Sequence, residues 1–527
     1  MFKNIKQIYF TLIYLKPIQI RYQIFYRFKK HFNLFKTNKI EFIRYDFIKI
    51  DFLAYKNIVI SKNKYENKNT FTFLGLTYFF NNKINWNYNS FGKLWNYNLQ
   101  YFDYLLDNSI EIHHRIALLE DFSINLKNGT VKLEPYPVSI RIINTIIFLS
   151  ENKIHNEEIE KVLSIQVTYL KNNLEYHLLG NHLLENIFSL FIASNFYNNK
   201  KLNKLSLKLL EEQLEEQILK DGAHFECSPM YHNIILSKLL LCIEVAQKNK
   251  FFDINIDFLI SKAGEMKNWI NKYSFPDGSW ALMNDAALYI APTTIQINSA
   301  CELLKINNVD KELKESGYRK LSGDNWECII KVGNITPSYQ PGHTHSDMLS
   351  YCLWYKGNHI VVDPGVSTYE NNHQRLNERG TSYHNTVTIN KQNQSDVWGS
   401  FRIGKRANCI ILKDSCREIV AIHDGFNNRK TTHKRSFISE KNTLIIIDEV
   451  KSNVENSIKF ESKILFNDDF QFDFTQNTIK SKQIQINFNS PGQISDDYFA
   501  NSYNRLKSSK SIKFSPIDSI ITNYIFN

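Results

Sequence analysis

GHTHSDMLSYCLWYKGNHIVVDPGVSTYE occupies residues 342–370. It contains two runs rich in β-branched, aromatic and other apolar residues, Met348–Tyr355 and His359–Val362, broken by Lys356-Gly357 and closed by Pro364-Gly365. Short runs bounded by turn residues read as strands. More strand-like runs surround them: Glu327–Val332, Asn385–Ile389, Ala407–Leu412, Ile419–His423 and Thr443–Val450. No helical pattern intervenes, which predicts an antiparallel β-sandwich. Upstream the spacing is helical in Phe91–Leu106, Val138–Ser150, Ile159–Asn172, His182–Tyr197, Leu202–Ile218, Met230–Asn249, Ile254–Tyr273 and Thr294–Leu304. Pro, Gly and Asn punctuate these segments, as at Pro135-Tyr-Pro137 and Gly180-Asn181. Helices in series without alternating strands predict hairpins stacked into a bundle or toroid.

The resulting organisation is a multidomain α and β chain: a basic segment 1–85, a helical domain 86–315 and a sandwich domain 316–527, with the change of periodicity near Asp310–Asn325. The first 80 residues read as irregular, with strands near Glu41–Ile60 and Thr70–Phe80. The last 60 are polar and rich in Lys, Asn and Ser, which predicts short edge strands.

A chain of 527 residues exceeds one ordinary core. Its 43% hydrophobic content excludes a disordered chain. The net charge of +11 is concentrated: residues 1–80 hold 15 Lys and Arg against 4 Asp and Glu. This argues against nucleic-acid binding by the body of the protein. It predicts either a basic arm for a polyanion, a partner or a membrane surface, with peripheral membrane association one outcome, or a solvated basic face. The apolar run Gln7–Leu15 stops at Lys16-Pro17, so neither a cleaved signal nor a spanning helix is predicted. A cytoplasmic or membrane-peripheral location follows as the expectation, with the periplasm as the alternative. Seven scattered Cys give no disulfide framework and no cysteine zinc site.

Three clusters carry candidate chemistry. In the first, His343 and His345 share a face if residues 342–347 are a strand, and Asp363 and His384 lie on neighbouring runs. His345, Asp363 and His384 then make either a divalent-metal set or a metal-free hydrogen-bonded network. In the second, Asn181 and His182 open a helix, where Asn181 reads as an N-cap or as a donor to an anion. In the third, Tyr231 and His232 fall in the first turn of a helix after Asp221-Gly222, placed for packing or for a phenolate favoured by the helix dipole.

In order, GNHLLEN at 180–186, DGAHFECSPMYH at 221–232, FPDGSWALMND at 275–285, the opening stretch and RGTSYHNTVTIN at 379–390 resemble the heparinase II/III family of polysaccharide lyases. Leu94–Leu105 and Leu133–Arg141 resemble a subgroup found in bacterial surface-polysaccharide gene clusters. The resemblance implies an incomplete (α/α) toroid followed by an antiparallel β-sandwich, with the cleft between them. It implies β-elimination at a uronate-containing acidic polysaccharide. Asn181, helped by His182, would neutralise the carboxylate, and Tyr231 and His343 would act as acid and base, with Tyr369 near the same cleft. It also implies a structural metal, usually Zn²⁺, on His345, Asp363 and His384, and substrate contacts at Glu226, His232, Asn284 and Arg379.

Lyase chemistry explains these residue types: the C5 proton is too weakly acidic until donors neutralise the carboxylate, after which a Tyr or His within reach transfers protons. Nucleotide glycine fingerprints are missing. Two alternatives remain at this stage. One is a toroid glycoside hydrolase using Glu226 and Asp285 as its carboxylate pair. The other is a non-catalytic polysaccharide-binding or assembly protein.

Overall fold

The computed structural model describes residues 2–31, 41–42, 48, 55, 64–66, 69–426, 430–453 and 458–527. Within them, nine helices follow one another from Lys93–Tyr101 to Thr294–Leu303. Eight match the segments expected from spacing. The ninth, Ile112–Lys127, escapes the pattern because His113, His114 and Arg115 fill its first turn. Arg115 is nevertheless buried and donates to the Leu105 carbonyl at 3.0 Å. The first expected helix is also shorter than its apolar pattern: Phe102, at φ 65°, ends it and a 3₁₀ turn follows over Asp103–Leu106.

The helix Gly180–Phe196 is apolar on nearly all sides and almost wholly buried, as expected of an element enclosed by others. It packs against Pro135–Glu151, Lys200–Gln217 and Pro229–Lys248. Ser228 caps the last of these through the Tyr231 amide, and Pro229 occupies the first turn, where its missing N–H costs nothing.

The strands of the sandwich begin at Tyr318–Gly323, and their pairings are antiparallel. One layer is an eight-stranded sheet, and two four-stranded sheets joined by the Val361–Phe466 bridge face it. The C-terminal stretch departs from the expected short edge strands. Ser519–Phe526 lies inside the large sheet, between Thr443–Ser452 and Ile484–Phe488. Its buried residues Ile520, Thr522, Tyr524 and Phe526 alternate with the outward Ser519, Ile521, Asn523 and Ile525, a mixed face that hides the alternation in sequence. Gly492–Ser502 and Arg505–Phe514 are likewise long strands.

The N-terminal region is also more ordered than its composition suggests. Phe2–Leu12 and Pro17–His31 are helices, and Lys64–Glu66, Thr70–Phe73 and Leu76–Phe79 form a small sheet. The strand expected near 41–60 lies, apart from residues 41, 42, 48 and 55, outside the described residues. One hydrophobic core runs from Phe71 and Phe73 through the helices to Ile329 and Trp354 of the sandwich, so the helical and sandwich parts share packed apolar contacts. No helix among the described residues is long and apolar enough to cross a membrane.

Candidate active site

A cavity of about 660 Å³ opens where the helix starts meet the sandwich loops. Asn181, His182 and Tyr231 line it from the helical side, and His343, Tyr369 and Phe401 from the sandwich side. Tyr97, Tyr101 and Tyr136 add aromatic surface, which suits the apolar faces of sugar rings.

Asn181 is not the helix cap; Leu179 holds that position. The Asn181 backbone N–H donates to Glu226 Oε1 at 3.0 Å, and its Nδ2 donates to the same carboxylate at 3.0 and 2.9 Å. Glu226 therefore fixes the amide orientation, with Nδ2 3.5 Å from His343 Nε2. The preceding Gly180 is required here. Its φ is +57°, and an added Cβ would fall 2.5 Å from Glu226 Oε1.

His343 is set from behind by Asp285. Its Nδ1 lies 2.8 Å from Asp285 Oδ2, and a carboxylate only accepts, so Nδ1 carries a proton and in the neutral ring Nε2 is the nitrogen with the lone pair. The same carboxylate accepts from His345 Nε2 at 2.9 Å and from both terminal nitrogens of Arg375, one of them at 2.7 Å. Burial alone would raise its pKa, but the Arg375 guanidinium and the imidazole donors hold it well below the usual carboxylate range. The imidazole of His343 stacks on Tyr231 with centroids 3.9 Å apart. Tyr231 OH meets Tyr369 OH at 2.9 Å. Burial raises the Tyr231 pKa well above that of a free phenol, outweighing the Tyr369 hydrogen bond and the nearby Arg375 charge, so the resting hydroxyl is protonated.

His182 faces the cavity beside Tyr136, with its Nδ1 3.1 Å from Glu175 Oε1. Burial opposes its charge, but Glu175 prevails and raises its pKa. Deeper in, Glu185 has neither oxygen hydrogen-bonded, and burial lifts its pKa to about 7 against the pull of Lys238.

Four residues expected at the substrate sit behind the cavity wall instead. The His232 ring bonds the Met266 carbonyl at 3.0 Å and packs on Trp269, and burial pushes its pKa down to about 3. Asn284 bonds the Cys227 carbonyl and the His345 amide and is fully buried. Arg379 braces the carbonyls of Gly399, Arg402 and Thr344. Glu226 orients Asn181 without lining the cavity. Each follows a candidate motif in sequence, but helical geometry turns His232 away from Tyr231. Arg375, which no motif marked, is the residue that reasoning from sequence missed.

His345, Asp363 and His384 come together, fully buried, with a ligand atom from each within 4.8 Å of the others. His384 Nδ1 lies 2.9 Å from Asp363 Oδ2, and His345 Nδ1 has no hydrogen-bond partner. Residues 342–347 are a loop rather than the strand expected, so it is Asp285 and not strand alternation that brings His343 and His345 to one place.

Two family models match the chain: "Heparinase II/III N-terminus" over residues 137–310 and "Heparinase II/III-like, C-terminal" over residues 306–519. Among curated proteins, a heparin-sulfate lyase of Bacteroides stercoris is 22% identical over 54% of this chain and 45% of its own length. One from Bacteroides thetaiotaomicron is 25% identical over 54% of this chain and 46% of its own. The chain thus spans under half the length of these curated relatives. Among solved structures, a heparinase III superposes with a TM-score of 0.66 at 17% identity, covering 97% of this chain and 92% of that one. A heparan sulfate lyase from Pedobacter heparinus gives 0.55 at 15%, covering 91% and 83%. These likenesses establish the shared toroid-and-sandwich fold.

Proposed function

The chain belongs to the heparinase II/III family, and on that premise we propose that it is a polysaccharide lyase that cleaves a uronate-containing polymer by β-elimination. The observation that carries this reading is the convergence of Asn181, His182, Tyr231 and His343 on one cavity, with Asp285 holding the Nδ1 side of His343 so that Nε2 is the ring nitrogen free to take a proton. His182, whose pKa Glu175 raises against burial, and the Asn181 amide face the substrate carboxylate and stabilise the charge that develops there. His343 Nε2 takes the C5 proton. The Tyr231 hydroxyl, protonated at rest, donates to the departing C4 oxygen, and Tyr369 steadies it. The similarity of Leu94–Leu105 and Leu133–Arg141 to the surface-polysaccharide subgroup supports a cell-surface polymer as substrate. The basic N-terminal segment belongs to the same reading, as a contact for an acidic surface.

The hydrolase alternative loses support because Glu226 and Asp285 are fully buried and occupied, and neither lines the cavity. A panel of uronate polymers, followed by near-ultraviolet absorbance of the unsaturated product, tests the reading. Absorbance should rise with at least one polymer. New reducing ends without absorbance would support hydrolysis, and a flat trace with retained polymer binding would support a silent binding protein.

We further propose that His345, Asp363 and His384 hold a divalent ion, with Zn²⁺ favoured by an imidazole and carboxylate donor set. The fit rests on the unpaired His345 Nδ1 and on the Asp285 bond to Nε2 of the same ring, which is the outer-shell partner that orients a ligand imidazole. When bound, the ion supplies structural cross-linking of the loops that carry His343. Protein purified without chelator should contain about one ion per chain, and His345→Ala should lose it and melt at lower temperature. Metal content near zero in the parent protein, or unchanged in the variant, would overturn the assignment.

A further inference from the structure

The two N-terminal helices, Phe2–Leu12 and Pro17–His31, are amphipathic in an inverted sense. Their uncharged polar side chains Gln7, Thr11 and Gln19 point inward. Gln7 and Gln19 are buried, Gln7 Nε2 donates to Asp396 Oδ1 at 3.0 Å, and Gln19 Nε2 reaches the carbonyls of Leu178 and Tyr339 at 3.4 and 3.3 Å. Trp398 Nε1 donates to Thr11 Oγ1 at 3.2 Å, and the Arg406 guanidinium lies 3.7 Å from the centroid of the Tyr14 ring. The hairpin is therefore docked on the body through a face of polar and aromatic side chains, the Tyr22 ring lying 4.7 Å from that of Tyr176.

Its apolar face points to solvent. Ile5, Ile8, Tyr9 and Leu12 repeat at helical spacing along the outside of the first helix, and Ile20 and Ile24 do so along the second. Ten of the 26 exposed large apolar side chains among the described residues lie between Ile5 and Phe28. Such a concentration marks an interaction surface, because exposed apolar residues scattered singly would not cluster this way. The charge around it has one sign. Residues 1–40 contain nine Lys and Arg and no Asp or Glu, and Lys6, Arg21 and Arg27 are exposed on the same two helices.

We propose that this hairpin is an interfacial membrane anchor, laying its apolar face into the headgroup region of an anionic lipid bilayer while its basic residues meet the lipid phosphates. An apolar stripe flanked by Lys and Arg on short helices is the composition that lies in an interface and does not span it. A second copy of the chain fits poorly, since a twofold contact would set Lys6, Arg21 and Arg27 against their own equivalents. An acidic polysaccharide fits the charge, but it gives Ile8, Leu12 and Ile24 nothing apolar to cover them. Leu178, whose carbonyl holds Gln19, and Gln340, next to Tyr339, both line the cavity, so the anchor lies beside the cleft mouth. If the lyase reading holds, the anchor would bring the cleft to polymer still attached at a membrane surface.

The test is co-sedimentation of the full chain with large unilamellar vesicles, which needs no substrate and stands apart from the lyase reading. Vesicles of phosphatidylcholine with one-third phosphatidylglycerol should bind the protein, and pure phosphatidylcholine should bind it at least about tenfold more weakly. The double variant Ile8→Asp, Ile24→Asp changes only exposed positions. It should keep the parent circular dichroism and melting temperature and lose vesicle binding by at least about tenfold. Lys6→Gln, Arg21→Gln, tested together as a second variant, should lose binding most strongly at low salt. The proposal is overturned if the parent ignores anionic vesicles. It is equally overturned if Ile8→Asp, Ile24→Asp binds them as the parent does, or if light scattering finds a dimer that this variant dissolves. Binding to soluble heparosan through the hairpin, without vesicle binding, would assign the surface to the polymer instead.

Discussion

Tyr231→Phe is expected to lower kcat by about 10²–10⁴-fold on a competent polymer, the range over which a positioned acid–base group contributes. The substitution keeps the ring that stacks on His343 at 3.9 Å and removes only the hydroxyl that meets Tyr369 at 2.9 Å. A packing role would leave the rate near normal, so the rate itself separates the two roles. The raised pKa of Tyr231 gives the step a direction. At neutral pH the hydroxyl holds its proton, so it serves first as an acid toward the leaving oxygen, while His343, with a lone pair on Nε2, serves as the base. The loss should therefore appear in kcat more than in KM, because the hydroxyl acts chiefly as charge builds on the leaving oxygen. Steady-state absorbance kinetics beside circular dichroism of the variant would measure it. Retention of most of the parent rate would make Tyr231 structural and move the proton transfer to His343, His182 or Tyr369.

Which parts of this architecture the sequence disclosed follows from how local each signal is. Helical spacing marks helices wherever their buried face is apolar, as in Val138–Ser150. It misses Ile112–Lys127, where a buried arginine satisfied by a distant carbonyl looks like a polar interruption. A continuous apolar run marks Met348–Tyr355, buried along its length, but not Ser519–Phe526, a strand inside the sheet whose mixed outward face of Ser, Ile, Asn and Ile breaks the pattern. At the site, motif order placed Asn181, Tyr231 and His343 on one cavity, because each sits at the end of a regular element or in a loop beside one. The support behind them was illegible. Asp285 and Arg375 are 90 residues apart, and no local pattern relates a carboxylate to a guanidinium at that distance. His232 shows the opposite error, since adjacency to Tyr231 in sequence means divergence on a helix, where neighbours in sequence do not share a face.

Asp285→Asn should be the most damaging single-atom change in the molecule, lowering both stability and rate. The native carboxylate accepts from Arg375, His343 and His345 in a site with no solvent exposure. Removing one partner of such a buried pair costs about 3–5 kcal/mol, because the guanidinium is left charged and uncompensated. An amide also turns an NH₂ donor toward groups that are themselves donors. Facing His343, that donor would force the imidazole proton from Nδ1 to Nε2 and so abolish the lone pair that takes the C5 proton. The rate of the folded fraction should then fall by about 10²–10⁴-fold, as for loss of a general base.

The dependence on pH separates the two effects. Because the folded pKa of Asp285 is depressed, its stabilisation is fully present above the unfolded carboxylate value of about 3.9 and is lost as pH falls through the folded value. The gap in melting temperature between parent and variant should therefore be widest at neutral pH and narrow below about pH 4. The rate defect should persist at neutral pH even at low temperature, where both proteins are folded. Wild-type melting and wild-type turnover in Asp285→Asn would mean that something other than this carboxylate sets the tautomer of His343, and the assignment of His343 as base would fall with it.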